Sequence, residues 1–180
     1  MGLTEGWRSK IDGATFPLAP GVAAGQFDPS THEFVNFSAR ETVEDLEIFL
    51  RRLRGVNPGA RIILTVSPVP LIATYEPRHV LVSTTYSKAA LRVAAEEVAS
   101  GKHDVAYFPS YEIITGSFNR GAYFDTDLRS VRQEGVDHVM SLFLRHYTSR
   151  LLDPDTVTDA SLEEMRRLSD IVCDEKLIDR

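Results

Sequence analysis

The 180 residues are enough for one domain with a real core and short for two, and their apolar (43%) and charged (26%) fractions are ordinary for a globular chain. A net charge of -6 argues against a nucleic-acid partner, which needs clustered Lys and Arg, and no apolar run approaches the roughly 18–20 residues that cross a bilayer. Cys173 is the only cysteine, which excludes an internal disulfide and a Cys-based zinc site; Met1 to Lys10 lacks the apolar stretch of a signal peptide, so the expected address is the cytoplasm.

In chain order, residues 1–37 read as a loop-rich opening, because Gly13, Pro17, Pro20, Gly21, Gly25 and Pro29 punctuate it too densely for a long element. A helix is predicted over 42–54, with Thr42 and Asp45 as a capping box and Val43, Leu46, Leu50 and Leu53 on one face. Asn57-Pro58-Gly59 ends it. Arg61 to Val66 is a β-branched run without alternation, the pattern of a parallel strand buried on both faces. Ser67-Pro68-Val69-Pro70 stops that strand, since proline cannot donate to a ladder.

His79 to Val82 reads as a short extended piece, followed by a helix over 87–99 that starts at Ser87 and buries Leu91, Ala94, Ala95 and Val98. Val105 to Phe108 is the next strand, stopped by Pro109. A loop over 115–135 leads to a helix with Val136, Val139, Met140, Phe143, Leu144 and Tyr147 as its apolar positions. A last helix is predicted over 161–173, opened by Ser161 with Glu164 three residues on. Alternating helices and strands imply a parallel sheet with right-handed crossovers. Two strands alone do not make a stable sheet. Either the opening hides further strands or another polypeptide completes the sheet, and open apolar edges point to a homodimer or a hetero-complex.

Ligands of open α/β sheets bind beyond the carboxyl ends of the strands. Ser67 and Ser110 occupy that place and are the first nucleophile candidates. Neither stands in Gly-x-Ser-x-Gly, and serines after a strand more often cap loops or bond backbone. Of His32, His79, His103, His138 and His146, no pair has helical metal spacing. His79 lies between the two candidate loops; a structural role is the commoner fate of such a histidine. Glu112 follows a strand beside aromatic residues, either as a carboxylate of shifted acidity or in an ion pair with an arginine. Asp127 and Arg129 form a possible surface pair. Glu5 and Trp7 either line a pocket or, for Trp7, bury against the sheet. No P-loop and no Gly-x-Gly-x-x-Gly is present, and no cofactor or metal is expected.

Several of these segments, in this order, resemble the GSCFA family of the SGNH/GDSL hydrolase superfamily. They are Gly2-Leu3-Thr4-Glu5-x-Trp7, Phe16-Pro17-x-Ala19-Pro20-Gly21, Asn57-Pro58, Leu64 to Leu71, His79-Val80, Tyr86-Ser87-Lys88-x-x-Leu91-Arg92, Tyr107 to Glu112 and Gly135-Val136-x-x-Val139-Met140. The resemblance implies a flavodoxin-like three-layer α/β/α fold and ester hydrolysis by a His-activated serine on acyl groups, often of carbohydrates. It also implies an incomplete domain over 1–150, with a helical extension over 151–180. The Gly-Ser-Cys-Phe-Ala block that carries the family's presumed nucleophile is not found, and the chain opens close to the third superfamily block. The loop Asp127 to Glu134 holds no histidine where the superfamily has Asp-x-x-His; Ser130 or Arg132 stands there, and arginine is no base at neutral pH.

The leading expectation is therefore the C-terminal portion of an SGNH-type ester hydrolase, truncated, degenerate or split. Glu5, Trp7, Ser67 and Glu112 would line its pocket for a small-molecule or carbohydrate ester, with Asp127 and Arg129 nearby. The nucleophile would come from a complementing N-terminal chain, or be a rewired Ser67 or Ser110 served by His79. A non-catalytic binding or assembly protein on the same fold is the alternative. A flavin- or nucleotide-binding module has the least support, and no membrane partner is expected.

Overall fold

The opening segment owes its structure to turn chemistry. In a computed structural model, which describes residues 1–22 and 25–147, Asp12 Oδ1 accepts the Ala14 N–H at 3.1 Å and Gly13 takes φ +75°. That left-handed residue closes a hairpin between β1 (Glu5–Ser9) and β2 (Thr15–Phe16). β3 (His32–Asn36) pairs antiparallel on the other side of β1, with Trp7 opposite Phe34 and Glu5 opposite Asn36. The glycines and prolines that read as loop are the turns of a small sheet. Among the described residues these strands do not join the parallel pair, which has two members.

The chain divides into two compact units, Met1–Val131 and Arg132–Arg180. In the first, α1 (Ala39–Val56) starts earlier than predicted. Two capping frames overlap, and Ser38 with Glu41 takes the cap: each side chain bonds the other's backbone N–H, at 3.2 and 2.9 Å. Glutamate reaches back to the N-cap where the shorter Asp45 would have to. Thr42 sits inside the first turn and donates to Ser38 O at 2.9 Å.

β4 (Ile62–Leu64) and β5 (Val105–Tyr107) form the predicted parallel pair, Ile62 opposite Val105 and Leu64 opposite Tyr107. Between them runs α2 (Val80–Ala99), about two turns longer than expected. His79 is its N-cap, so the extended piece predicted over 79–82 is helical. The polar run Ser83-Thr84-Thr85 hid the helix, because its first buried positions are hydroxyls. Leu50 of α1, Leu64, Ala95, Val98 and Val105 make the core, with Met1, Val43 and Leu46 packed against it.

After β5, α3 (Ser110–Thr115) fills the stretch between the predicted strand and the loop expected over 115–135, where no helix was predicted. Asn119 Nδ2 donates to the Ile113 and Ile114 carbonyls at 3.1 and 2.7 Å, satisfying the helix end. Gly116 is required there: a Cβ would collide with the Phe118 ring and Glu112 O.

The second unit is described through α4 (Gln133–Tyr147), which carries the apolar positions predicted for it, with the Phe143 and Tyr147 rings stacked at 5.5 Å. The helix predicted over 161–173 lies outside the described residues. Across the described residues the fold is thus mixed α/β, with one parallel strand pair and one small antiparallel sheet.

The cap assignment is testable by denaturant titration. Ser38→Ala is expected to cost about 1 kcal/mol, as loss of an N-cap does. Asp45→Ala is expected to cost a few tenths at most, and the reverse order would restore the Thr42–Asp45 frame.

Candidate functional site

Beyond the carboxyl ends of β4 and β5, hydroxyls fasten one strand end to the other. Thr65 Oγ1 donates to Phe108 O at 2.8 Å, which commits its one proton. Ser110 Oγ lies 3.0 Å from Val66 O and 2.5 Å from Thr65 Oγ1, so its proton serves one of those two acceptors. Ser67 Oγ accepts the Val69 N–H at 3.2 Å, and Ser67 N–H donates to Met1 O at 2.8 Å. His79 Nδ1 accepts the Leu81 N–H at 3.2 Å as the cap of α2, and its ring is exposed. That bond requires Nδ1 to be unprotonated. Neither serine has a histidine among its hydrogen-bond partners.

A denser cluster lies where the first residues of the chain meet the amino half of α2. Thr4 N–H donates to Ser87 Oγ at 2.8 Å, and Lys88 Nζ donates to Gly2 O at 2.7 Å. Thr4, Ser83, Ser87 and Lys88 are each at most 2% exposed. Thr4 Oγ1 donates to Asn36 Oδ1 at 2.7 Å, and Asn36 Nδ2 to Glu76 Oε1 at 2.8 Å. In parallel, Thr74 Oγ1 donates to Glu5 Oε1 at 2.6 Å. Its proton being spent there, the 3.0 Å contact with Ser83 Oγ takes its proton from Ser83. Arg78 Nε then donates to Ser83 Oγ at 3.0 Å. Polarity thus runs in one direction, from the Arg78 guanidinium through two hydroxyls to the Glu5 carboxylate.

Glu5 also accepts the Tyr75 N–H at 3.3 Å, and the Tyr75 ring stands 4.8 Å from Trp7. Trp7 is 8% exposed and is met edge-on by Phe27 at 5.0 Å and Phe34 at 5.7 Å. The loop at 74–75 therefore joins Glu5 to Trp7, and Trp7 buries against the antiparallel sheet. Sequence reading missed Thr4, Asn36, Thr74, Ser83 and Lys88. The signal available was the spacing Ser83, Ser87, Leu91, Ala94, Val98, one continuous buried stripe whose first members are polar.

Glu112 sits in the ion pair anticipated as one of its two readings. Its carboxylate takes Arg92 Nε at 2.6 Å and the Tyr107 hydroxyl at 2.8 Å, and the guanidinium lies 4.1 Å over the Tyr107 ring. Burial first, then the bond to Glu112, push the Tyr107 phenol above its ordinary value. Asp127 closes a turn: Ser130 Oγ at 2.5 Å and the Arg129 and Ser130 N–H groups at 2.9 and 2.8 Å hold its carboxyl below the usual range. A cleft of about 510 Å³ is lined by Phe16 to Pro20, Gly25, Gln26 and His32, and by none of the eight candidates. Among the described residues, no three His, Cys, Asp or Glu side chains converge as metal ligands would, and no helix is long and apolar enough to cross a membrane.

Burial pushes the Lys88 ammonium down to about 8. An unfolded lysine titrates near ~10.4, so between the two values the unfolded chain binds more protons and stability rises with pH. Denaturation midpoints are expected to climb from pH 8 to pH 10, and Lys88→Met is expected to remove most of that climb. An equally steep climb in the variant would show Lys88 to be hydrated in the fold.

Comparison with known proteins gives one finding for this geometry to be set beside. The model of the GSCFA family matches residues 1–143. No curated protein and no solved structure matches. The match spans the strands, the polar cluster and both serine loops, well over half of the sequence, and the chain belongs to the GSCFA family.

Proposed function

We propose that the chain contributes the substrate-side half of an SGNH-type ester hydrolase domain, a flavodoxin-like three-layer fold acting on an acyl or carbohydrate ester, with nucleophile and general base outside the residues described. One observation carries this reading: Ser67 and Ser110 are both bonded to backbone after the strands, and among the described residues neither hydrogen-bonds a histidine. A serine hydroxyl without a base is a poor nucleophile at neutral pH, so such a serine holds structure and does not attack. The loop that would carry the histidine of Asp-x-x-His instead has Asp127 bonded to Ser130. Membership of the GSCFA family supports this reading through the family's resemblance to SGNH-type hydrolases, and the matched span includes both loops beyond the strands. Glu5, held by Thr74 and joined to Trp7 through Tyr75, is then a preorganised acceptor beside the ester, a role that suits sugar hydroxyls.

The Asp127–Ser130 turn also favours a second reading, a binding or assembly protein that has kept the fold without the chemistry. In both readings the partner is a second copy or a complementing chain that covers the open sheet, and the setting is cytoplasmic.

A fluorophosphonate serine-hydrolase probe, followed by peptide mapping, tests the main point. No modification of Ser67 or Ser110 is expected under conditions where a complete family member reacts. Stoichiometric labelling of either serine would mean that an active site has been rebuilt within this chain.

A further inference from the structure

β4 has two edges, and their hydrogen bonds differ. Ile62 N–H donates to Asp104 O and Leu64 O accepts the Phe108 N–H, so residues 62 and 64 face β5. By alternation, Arg61, Ile63 and Thr65 turn their N–H and C=O groups to the opposite edge. There the Met1 nitrogen donates to Thr65 O at 2.7 Å, and Ser67 N–H donates to Met1 O at 2.8 Å. Those two bonds are one rung of a parallel ladder that pairs Met1 with Val66. The Met1 side chain accordingly packs on the core that includes Leu64, the face on which Val66 is fully buried.

Ahead of that rung the edge is open. Among the described residues, the N–H groups of Ile63 and Thr65 find no acceptor in any turn, loop or side chain, and Ile63 is 39% exposed. A second observation concerns charge. The Met1 amine is part-buried with the Lys88 ammonium as neighbour; burial first and Lys88 second push it down, and both groups donate to backbone carbonyls, Thr65 O and Gly2 O. A peptide bond at that nitrogen would keep the bond to Thr65 O and remove one of two neighbouring charges.

We propose that the open edge of β4 is an acceptor site for one further parallel strand, an extended apolar segment entering Met1 from its amino side. The register follows from the rung. The residue directly ahead of Met1 lies opposite Thr65, the second opposite Leu64 and the fourth opposite Ile62. The second and fourth therefore face the core and are apolar. The second also accepts the Thr65 N–H and donates to Ile63 O. An antiparallel second copy does not fit this edge, because Met1 already fixes the parallel direction at Val66. The inference rests on the reading of a domain completed from outside these residues, but its test has no catalytic readout, so probe labelling of a serine would leave its result unchanged.

Three variants of the chain test it by amide hydrogen exchange. One carries Thr-Ile-Thr-Ile-Thr ahead of Met1, one Gly-Ser-Gly-Ser-Gly, and one Thr-Ile-Thr-Pro-Thr, whose proline removes the N–H that would reach Ile63 O. Exchange at Ile63 and Thr65 is expected to slow about tenfold or more in the first relative to the second, as pairing an open edge does. The proline variant is expected to lose most of that protection. Equal exchange in the first two variants, or full protection in the proline variant, would overturn the proposal.

Discussion

The arrangement of the first unit depends on a buried polar seam, the Thr4 N–H donating to Ser87 Oγ with Lys88 reaching Gly2 O beside it. A backbone N–H or a hydroxyl withdrawn from water costs on the order of 1–3 kcal/mol if it is left unpaired. The amino half of α2 buries Ser83, Ser87 and Lys88 where a helix ordinarily buries apolar side chains. These groups are stable only with residues 2–5 docked against them, so the seam fixes where β1 begins. Once β1 is placed, Asn36 of β3 and the loop at 74–76 are drawn in by Thr4 and Glu5. A purely apolar interface would hold these parts together but would tolerate sliding; paired donors and acceptors admit one register.

The same logic decides what the two candidate serines do. Ser110 is the first residue of α3 and lies within reach of Val66 O and Thr65 Oγ1, so it ties the end of β5 to the end of β4. Ser67 accepts a backbone N–H two residues on, the turn bond that serine forms readily. To redeploy either as a nucleophile would release a strand-end bond and require a base that the neighbourhood does not bring. The Arg92–Glu112–Tyr107 triangle acts in a similar capacity, linking α2, α3 and β5 through one carboxylate that takes both a guanidinium and a phenol. With the guanidinium stacked on the Tyr107 ring, the three side chains fix one another, which is a positioning arrangement more than a reactive one.

Where periodicity was the signal, the sequence was readable. Val43, Leu46 and Leu50 placed α1, Leu91, Ala94, Ala95 and Val98 placed the second half of α2, and two β-branched runs placed the parallel pair. The first half of α2 was hidden because hydroxyls occupy its buried positions, and a hydrophobicity pattern cannot distinguish a buried Ser83 from an exposed one. The antiparallel sheet was hidden because β2 is two residues long and its flanking turns dominate the composition. The capping box of α1 was displaced by four residues, since two frames of the same pattern overlap and only geometry separates them. For the site, the motif segments Gly2 to Glu5 and Tyr86 to Lys88 were recognisable as units. That the two meet was not, because contacts between residues more than eighty positions apart leave no local trace.

The strand Arg61 to Val66 is where sequence and structure disagree most usefully. A run without alternation is the pattern of a strand covered on both faces. Leu64 and Val66 on one face are covered, at 7% and 0% exposure, whereas Ile63 on the other is 39% exposed. Exposing a β-branched side chain at the centre of a two-stranded sheet forgoes part of the roughly 1.5–3 kcal/mol that full burial of an isoleucine contributes. A sequence shaped by this environment alone would place a polar residue there, as it does at Thr65 next along the same face. Ile63 combines that exposed side chain with edge backbone that finds no partner among the described residues, so one residue carries both departures from the interior pattern. β4 thus has the composition of an interior strand, while the described residues pair it along one edge with β5 and cover one of its faces.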